Sequence, residues 1–288
     1  MDWAFALGAA VNMAFTMAEF GFGVAANSVA LIADATHNLG DVAGLLLAWW
    51  AVFLARRPPT EQRTYGWGRG TILAALANAS VLLIGVGAIG IEALHRLIAP
   101  EPVQTGLAMA VAAFGIVVNG GTALLFLRDR ANDLNVRSQF VHLAGDAAIS
   151  AGVVLAALAI RLTGYAWLDP VASLIVAALI AAGTWGVLRE SLGLAMDAVP
   201  QNVHAEDVAA FLASVPGVME VHDLHIWGIS TTETALTAHL VFAGEVEDRR
   251  PHALAAQLKQ RFGIGHATVQ IESDADAALC RLRPNDVV

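Results

Sequence analysis

Two apolar stretches of the chain carry the same element, His-x-x-x-Asp: His37 and Asp41 in IADATHNLGDVAGLLLAW, and His142 and Asp146 in FVHLAGDAAISAGVVLAAL. On a helix, positions i and i+4 project from one face, so each element offers an imidazole nitrogen and a carboxylate to a common point. Two such helices side by side supply two nitrogens and two oxygens, enough for a tetrahedral zinc site. A single pair reads equally well as a local hydrogen bond within its own helix. Two matching pairs in apolar surroundings favour metal, because a membrane-buried ionisable group is costly unless it is partnered or faces water. Glycine precedes each aspartate, at Gly40 and Gly145, and would allow close helix approach. Asp34, three positions before His37, is a candidate accessory carboxylate. Glu19, Asn78, Glu92 and Asn119 read as interhelical hydrogen-bonding groups.

The elements that must carry these residues follow from composition. Of 288 residues, 57% are hydrophobic and only 14% charged, with a mean hydropathy of +0.62; soluble domains carry about 25% charged residues. Six apolar stretches, near 4–26, 30–55, 71–97, 104–126, 140–162 and 169–189, are long enough to cross about 30 Å of hydrocarbon. The first lacks the basic start of a cleaved signal peptide and reads as a span. Asn27 and Ser28 suit a tight turn between the first two spans, the other reading being one long bent helix. With six spans, Arg56, Arg57, Arg63, Arg69, Arg128, Arg130, Arg137 and Arg189 fall on one side and only Arg96 and Arg161 on the other, which puts both termini in the cytoplasm. Asp41 lies near the middle of its run but His142 near the start of its own, so a shared site requires a displaced fifth helix or a watery cavity reaching in.

The long apolar runs stop near Pro200. Residues 1–199 form a six-helix transport domain in this reading, and residues 200–288 a separate cytosolic domain with 12 acidic and 6 basic residues. In that tail, 204–214 and 252–262 read as amphipathic helices and 222–229, 234–243 and 267–272 as strands. The order helix, strand, strand, helix, strand gives a small α+β domain. The one cysteine, Cys280, excludes an internal disulfide framework and a four-cysteine zinc cluster. A net charge of -9 offers no attraction for nucleic acid.

These residues resemble the cation diffusion facilitator family, proton-coupled exporters of zinc and related divalent metals. The resemblance covers nearly the whole chain: SVALIADATHNLGDVAGLLLAW, TYGWGRGTILAALANA, NVRSQFVHLAGDAAIS, VPGVMEVHDLHIW and HATVQIE. It implies six transmembrane helices, a ferredoxin-like cytosolic domain resembling a metallochaperone, a homodimer, and residence in a bacterial inner membrane. The family's transport site falls on His37, Asp41, His142 and Asp146, in the two-histidine arrangement that resembles the zinc-preferring members. In the tail, His222, His239 and Glu272 match positions that bind regulatory metal, with His252 as an additional ligand and His225 as an accessory. Gln270 stands where some bacterial relatives have histidine, which argues against a two-metal cluster. The loop RRPPTEQRTYGWGRG has no histidine, so the further metal site that some members carry there is expected to be absent. Surface histidines on an acidic domain are the other reading of the tail.

The expected activity is export of Zn2+ from the cytoplasm by alternating access in exchange for protons, with Cd2+ or Co2+ as further cargo and no organic cofactor. Imidazole and carboxylate bind either a proton or a metal, which couples the two fluxes. A channel is disfavoured because four tetrahedral ligands hold zinc too tightly for fast conduction. A membrane-anchored metal sensor would leave the two intramembrane pairs without a purpose. A hydrolytic enzyme would need an open zinc position, and the two pairs fill all four.

Overall fold

The computed structural model describes residues 2–126, 134–243 and 250–283. Six long helices come first: α1 (Asp2–Ala26), α2 (Val29–Ala55), α3 (Arg69–Ile98), α4 (Thr105–Phe126), α5 (Leu134–Thr163) and α6 (Leu168–Ala195). Among the described residues, five stretches are long and apolar enough to cross a membrane: Val29–Ala55, Arg69–Ile98, Thr105–Leu124, Phe140–Thr163 and Leu168–Ala195. Large apolar side chains such as Leu45, Trp49, Ile84, Phe114 and Leu155 point outward from these helices, as a lipid-facing surface requires. Arg128 and Arg130, two of the arginines used to orient the spans, lie outside the described residues.

The break between α1 and α2 is a two-residue turn rather than a bend. Asn27 takes the left-handed conformation (φ 53°) and the Ser28 amide donates back to the Gly23 carbonyl at 3.1 Å, a helix-ending motif for which asparagine is a common substitute for glycine. Arg96 donates to both the carbonyl and the side-chain oxygen of Asn27 at 2.8 Å. Asp169 then starts α2 by accepting from the Ser28 hydroxyl (2.5 Å) and the Val29 amide (2.8 Å). Residues far apart in sequence thus fix the α1–α2 corner.

The tail contains α7 (Ala205–Ala213), β1 (Val218–Gly228), β2 (Thr234–Phe242), α8 (Arg250–Phe262), β3 (Ile264–Glu272) and the one-turn α9 (Asp274–Ala277). The order is the expected one, with β1 starting four residues earlier than the apolar pattern suggested. β2 is central, antiparallel to β1 and parallel to β3. Val208 and Leu212 of α7 and Leu254 and Leu258 of α8 pack on Ile226, Leu236, Leu240 and Ile264, so both helices cover one sheet face. Side chains alternate along a strand, so Thr237, His239 and Val241 belong to the opposite face.

By compactness the chain forms two units, residues 1–47 with 77–186 and residues 48–76 with 187–288. The second includes the loop between α2 and α3 and the start of α3, where Thr231 donates its amide to the Thr71 hydroxyl at 3.0 Å and Arg69 pairs with Asp197.

Candidate metal centre

α2 and α5 run antiparallel through the first unit, and their polar residues meet in reverse order. The Ser150 hydroxyl donates to Asp34 Oδ2 at 2.7 Å. One turn further along each helix, His37 Nε2 lies 3.8 Å from Asp146 Oδ1, and His142 Nε2 lies 3.5 Å from Asp41 Oδ2. Within each helix the i,i+4 separations are 3.5 Å for His37–Asp41 and 3.7 Å for His142–Asp146. The two imidazoles face each other edge-on with centroids 6.3 Å apart. A tetrahedral zinc with bonds of about 2.0–2.1 Å has ligand–ligand edges of about 3.3 Å. All four histidine–carboxylate separations exceed that by a few tenths of an ångström.

α5 begins at Leu134, six residues before the expected start, so His142 sits two turns inside a helix and meets Asp41. The apolar part of α5 still starts at Phe140, so His142 stays near the edge of its run while Asp41 lies well inside its own. Exposure of the side chains falls from His142 (39%) through Asp41 (25%) and His37 (16%) to Asp146 (4%). The set therefore opens at the His142 side and is sealed behind Asp146. Neither His37 Nδ1 nor Asp41 Oδ2 has a hydrogen-bond partner although both atoms are buried. Of the two, Asp41 Oδ2 faces both imidazoles, and such an orphan costs about 1–3 kcal/mol unless something occupies the site.

The neighbouring residues take supporting positions. Asp34 is fully buried and bonded to Ser150, which ties α2 to α5 one turn from the four ligand candidates rather than placing it among them. Asn38, beside His37, donates to Glu19 of α1 at 3.3 Å. The two glycines before the aspartates are not equivalent. A Cβ at Gly40 would collide with Leu82 of α3, whereas one at Gly145 meets nothing within 4 Å. Gly40 thus admits α3, and neither glycine governs the α2–α5 approach. Gly44 carries the Asn78 amide against its backbone, with atoms 2.5–2.7 Å from where a Cβ would lie.

A second group of donors lies on the tail sheet, on the face away from the helices. His222 of β1 pairs directly with His239 of β2, and Glu272 of β3 stands beside Val241. His239 Nδ1 is 2.9 Å from Glu272 Oε1, and His222 Nε2 is 3.3 Å from Glu272 Oε2. Cys280, past the end of β3, joins them with Sγ 3.6 Å from His239 Nδ1. One donor atom from each of these four residues lies within 4.8 Å of every other. The His222 ring is buried and neither nitrogen forms a hydrogen bond; Glu272 Oε2 also lacks one.

A β-bulge shapes this group. Between the pairs His222–His239 and His225–Thr237, two residues of β1 (Asp223 and Leu224) oppose one of β2 (Ala238), and Asp223 holds the left-handed conformation (φ 49°). The extra residue lets His222 and His225 share a face, which their odd spacing would otherwise forbid. Asp223 then reaches His225 Nε2 at 2.8 Å and His239 Nε2 at 3.5 Å. His225 is held by Asp223 and lies outside the four-residue group. His252 is exposed at the start of α8, also outside it. Gln270 donates to Glu272 Oε1 at 2.7 Å and orients it. Two hydrogen bonds from Arg283, at 3.0 and 2.7 Å, hold the Glu220 carboxyl below its ordinary pKa. Sequence reasoning missed Cys280 and Asp223. A lone cysteine past the last strand carries no spacing signal, and a bulge is invisible to a period of two.

Comparison with known proteins shows the family. Residues 6–194 match the cation efflux transmembrane domain and residues 200–274 the cytoplasmic domain of cation efflux proteins. The chain is similar to the cation efflux system protein CzcD of Alcaligenes sp. (34% identity over 276 residues, covering 93% of this chain and 87% of the relative). It is also similar to the zinc transporter ZitB of Escherichia coli (35% over 265 residues, 91% and 84%). A third relative is the cadmium, cobalt and zinc/H(+)-K(+) antiporter of Bacillus subtilis (32% over 268 residues, 90% and 86%). The chain is therefore a multi-pass membrane protein with a small α+β domain, not an enzyme, and it belongs to the cation diffusion facilitator family of divalent-cation efflux transporters.

Proposed function

We propose that this chain exports zinc from the cytoplasm in exchange for protons, with His37, Asp41, His142 and Asp146 as the transport site. The observation that carries the reading is the meeting of two His-x-x-x-Asp pairs from antiparallel helices, with every histidine–carboxylate separation between 3.5 and 3.8 Å. Two nitrogens and two oxygens suit zinc better than the all-oxygen sets favoured by manganese or magnesium. The names of the relatives, a zinc transporter and an antiporter for cadmium, cobalt and zinc, support zinc with cadmium or cobalt as further cargo.

The mechanism follows from the chemistry of the donors. Zinc enters at the exposed His142 side and displaces protons from imidazole and carboxylate, since each donor holds one or the other. Rearrangement of α2 and α5 then exposes the ion to the opposite side, where protons release it. Six spans, with α1 as the first and both termini in the bacterial cytoplasm, follow from the arginine distribution. Under that orientation the His142 end of the site faces inward. Residues 1–199 form the transport domain. Residues 200–288 form a ferredoxin-like cytosolic domain that pairs two copies of the chain and binds a regulatory ion through His222, His239 and Glu272.

Zinc flux in proteoliposomes, run against a panel of divalent ions with and without a pH gradient, tests the reading. Zinc-dependent proton movement that disappears in the Asp41→Ala, Asp146→Ala double variant is expected. Wild-type flux in that variant, with folding verified, would overturn the site.

A further inference from the structure

We infer that Cys280 is the fourth ligand of the tail metal, so that one protomer by itself closes a two-histidine, one-carboxylate, one-thiolate site; this rests on the proposal that the tail binds an ion. The distances fit such a set. With zinc–sulfur bonds of about 2.3 Å and zinc–nitrogen bonds of about 2.0–2.1 Å, a tetrahedral site has a sulfur–nitrogen edge of about 3.5 Å and a nitrogen–oxygen edge of about 3.3 Å. Sγ of Cys280 stands 3.6 Å from His239 Nδ1, and His222 Nε2 stands 3.3 Å from Glu272 Oε2. His222 Nε2 and Glu272 Oε2, 3.3 Å apart, are buried without hydrogen bonds, and one donor atom from each of the four residues, the thiol included, lies within 4.8 Å of the others.

The surroundings are those of a supported metal site. A ligating histidine commonly turns its second nitrogen toward a carboxylate that fixes its orientation. Here Asp223 Oδ2 lies 3.5 Å from His239 Nε2, and Glu220 Oε1 lies 3.7 Å from His222 Nδ1. Gln270 plays the same part for Glu272. The chain segment that delivers Cys280 is built to return it to the sheet. Ser273 ends β3 and caps the single turn of α9, its hydroxyl donating to Asp276 at 2.7 Å and accepting from the Asp276 amide at 3.2 Å. Arg283 then anchors the segment to Glu220 of β1.

Four protein donors leave no open position, so the ion is held rather than passed on. Binding takes the proton from the thiol and pins the segment from Ser273 to Arg283 onto β1 and β2. A thiolate also biases the site toward zinc, cadmium and cobalt and away from manganese and magnesium.

Cobalt is the probe, because a cobalt–thiolate bond gives a near-ultraviolet charge-transfer band that nitrogen and oxygen ligands do not. The full-length Asp41→Ala, Asp146→Ala variant in detergent, which lacks the transport site, is titrated with Co2+. The expected band is lost in Cys280→Ser, and cobalt affinity drops by roughly a hundredfold or more, since even outer partners of a ligand are worth about 10–100-fold. Cys280 is the sole cysteine, so maleimide labelling of the unsubstituted chain reads this position alone. Zinc is expected to slow that labelling, and His239→Ala to abolish the protection. Cobalt bound through His239 without the band, or labelling indifferent to zinc, would overturn the thiolate ligand while leaving the tail site standing. Absence of any cobalt binding sensitive to His239→Ala would overturn both.

Discussion

Replacing Asp146 by asparagine keeps the size of the side chain and removes only its charge. Of the four transport-site candidates Asp146 is the most buried, and its two oxygens reach both imidazoles, Oδ1 at 3.8 Å from His37 and Oδ2 at 3.7 Å from His142. At 4% exposure, water cannot take its place. Removing one member of a buried charge set costs about 3–5 kcal/mol. With about 1.4 kcal/mol per tenfold change, zinc affinity should fall by about two to three and a half orders of magnitude. The amide oxygen remains a weak donor and pulls the result toward the lower figure. Affinity is measured by chelator competition on purified protein, and flux in proteoliposomes at zinc concentrations below the wild-type KM. Gly145→Ala is the matched control. It changes the adjacent residue, places its methyl where nothing lies within 4 Å, and should leave zinc affinity unaltered. A well-folded Asp146→Asn protein within about tenfold of wild-type affinity, a gap of about 1.4 kcal/mol, would refute the assignment of this carboxylate as a ligand.

Three further outcomes are expected. His37→Asp exchanges an imidazole for a shorter carboxylate and should lower zinc flux relative to manganese or cadmium in a competition assay; an unchanged metal profile counts against His37 as a ligand. Gly40→Ala should destabilise by about 1–3 kcal/mol through overpacking against Leu82, read by thermal unfolding in detergent, and Leu82→Ala in the same chain should recover part of the loss. Topology reporters placed after Pro102 and Gly164 should read outside and those after Pro59 and Val288 inside; an external tail would sink the proposed orientation.

The amino-acid order alone determined the helical membrane architecture, the small α+β tail and the identity of the four transport-site candidates. Each of these rests on a local regularity: apolar run length against bilayer thickness, a period of two or 3.6, and the i,i+4 rule that puts a histidine and an aspartate on one helical face. What the local pattern could not set was anything that depends on two distant segments meeting. The antiparallel register of α2 against α5 is visible as Asp34 on Ser150 and His37 on Asp146, pairs more than 100 residues apart in sequence. His142 meets Asp41 at 3.5 Å although it lies near the edge of its own apolar run and Asp41 well inside its own. Gly40 and Gly145 look alike in the sequence, yet one faces Leu82 and the other open space, because their neighbours are chosen by the fold. In the tail the histidines were legible but their partners were not. A bulge at Asp223 overrides strand alternation, and the return of the chain after β3 carries Cys280 to His239, 41 positions earlier in the sequence. Contacts of that separation are decided by tertiary packing, since no local propensity encodes which remote side chain closes a site.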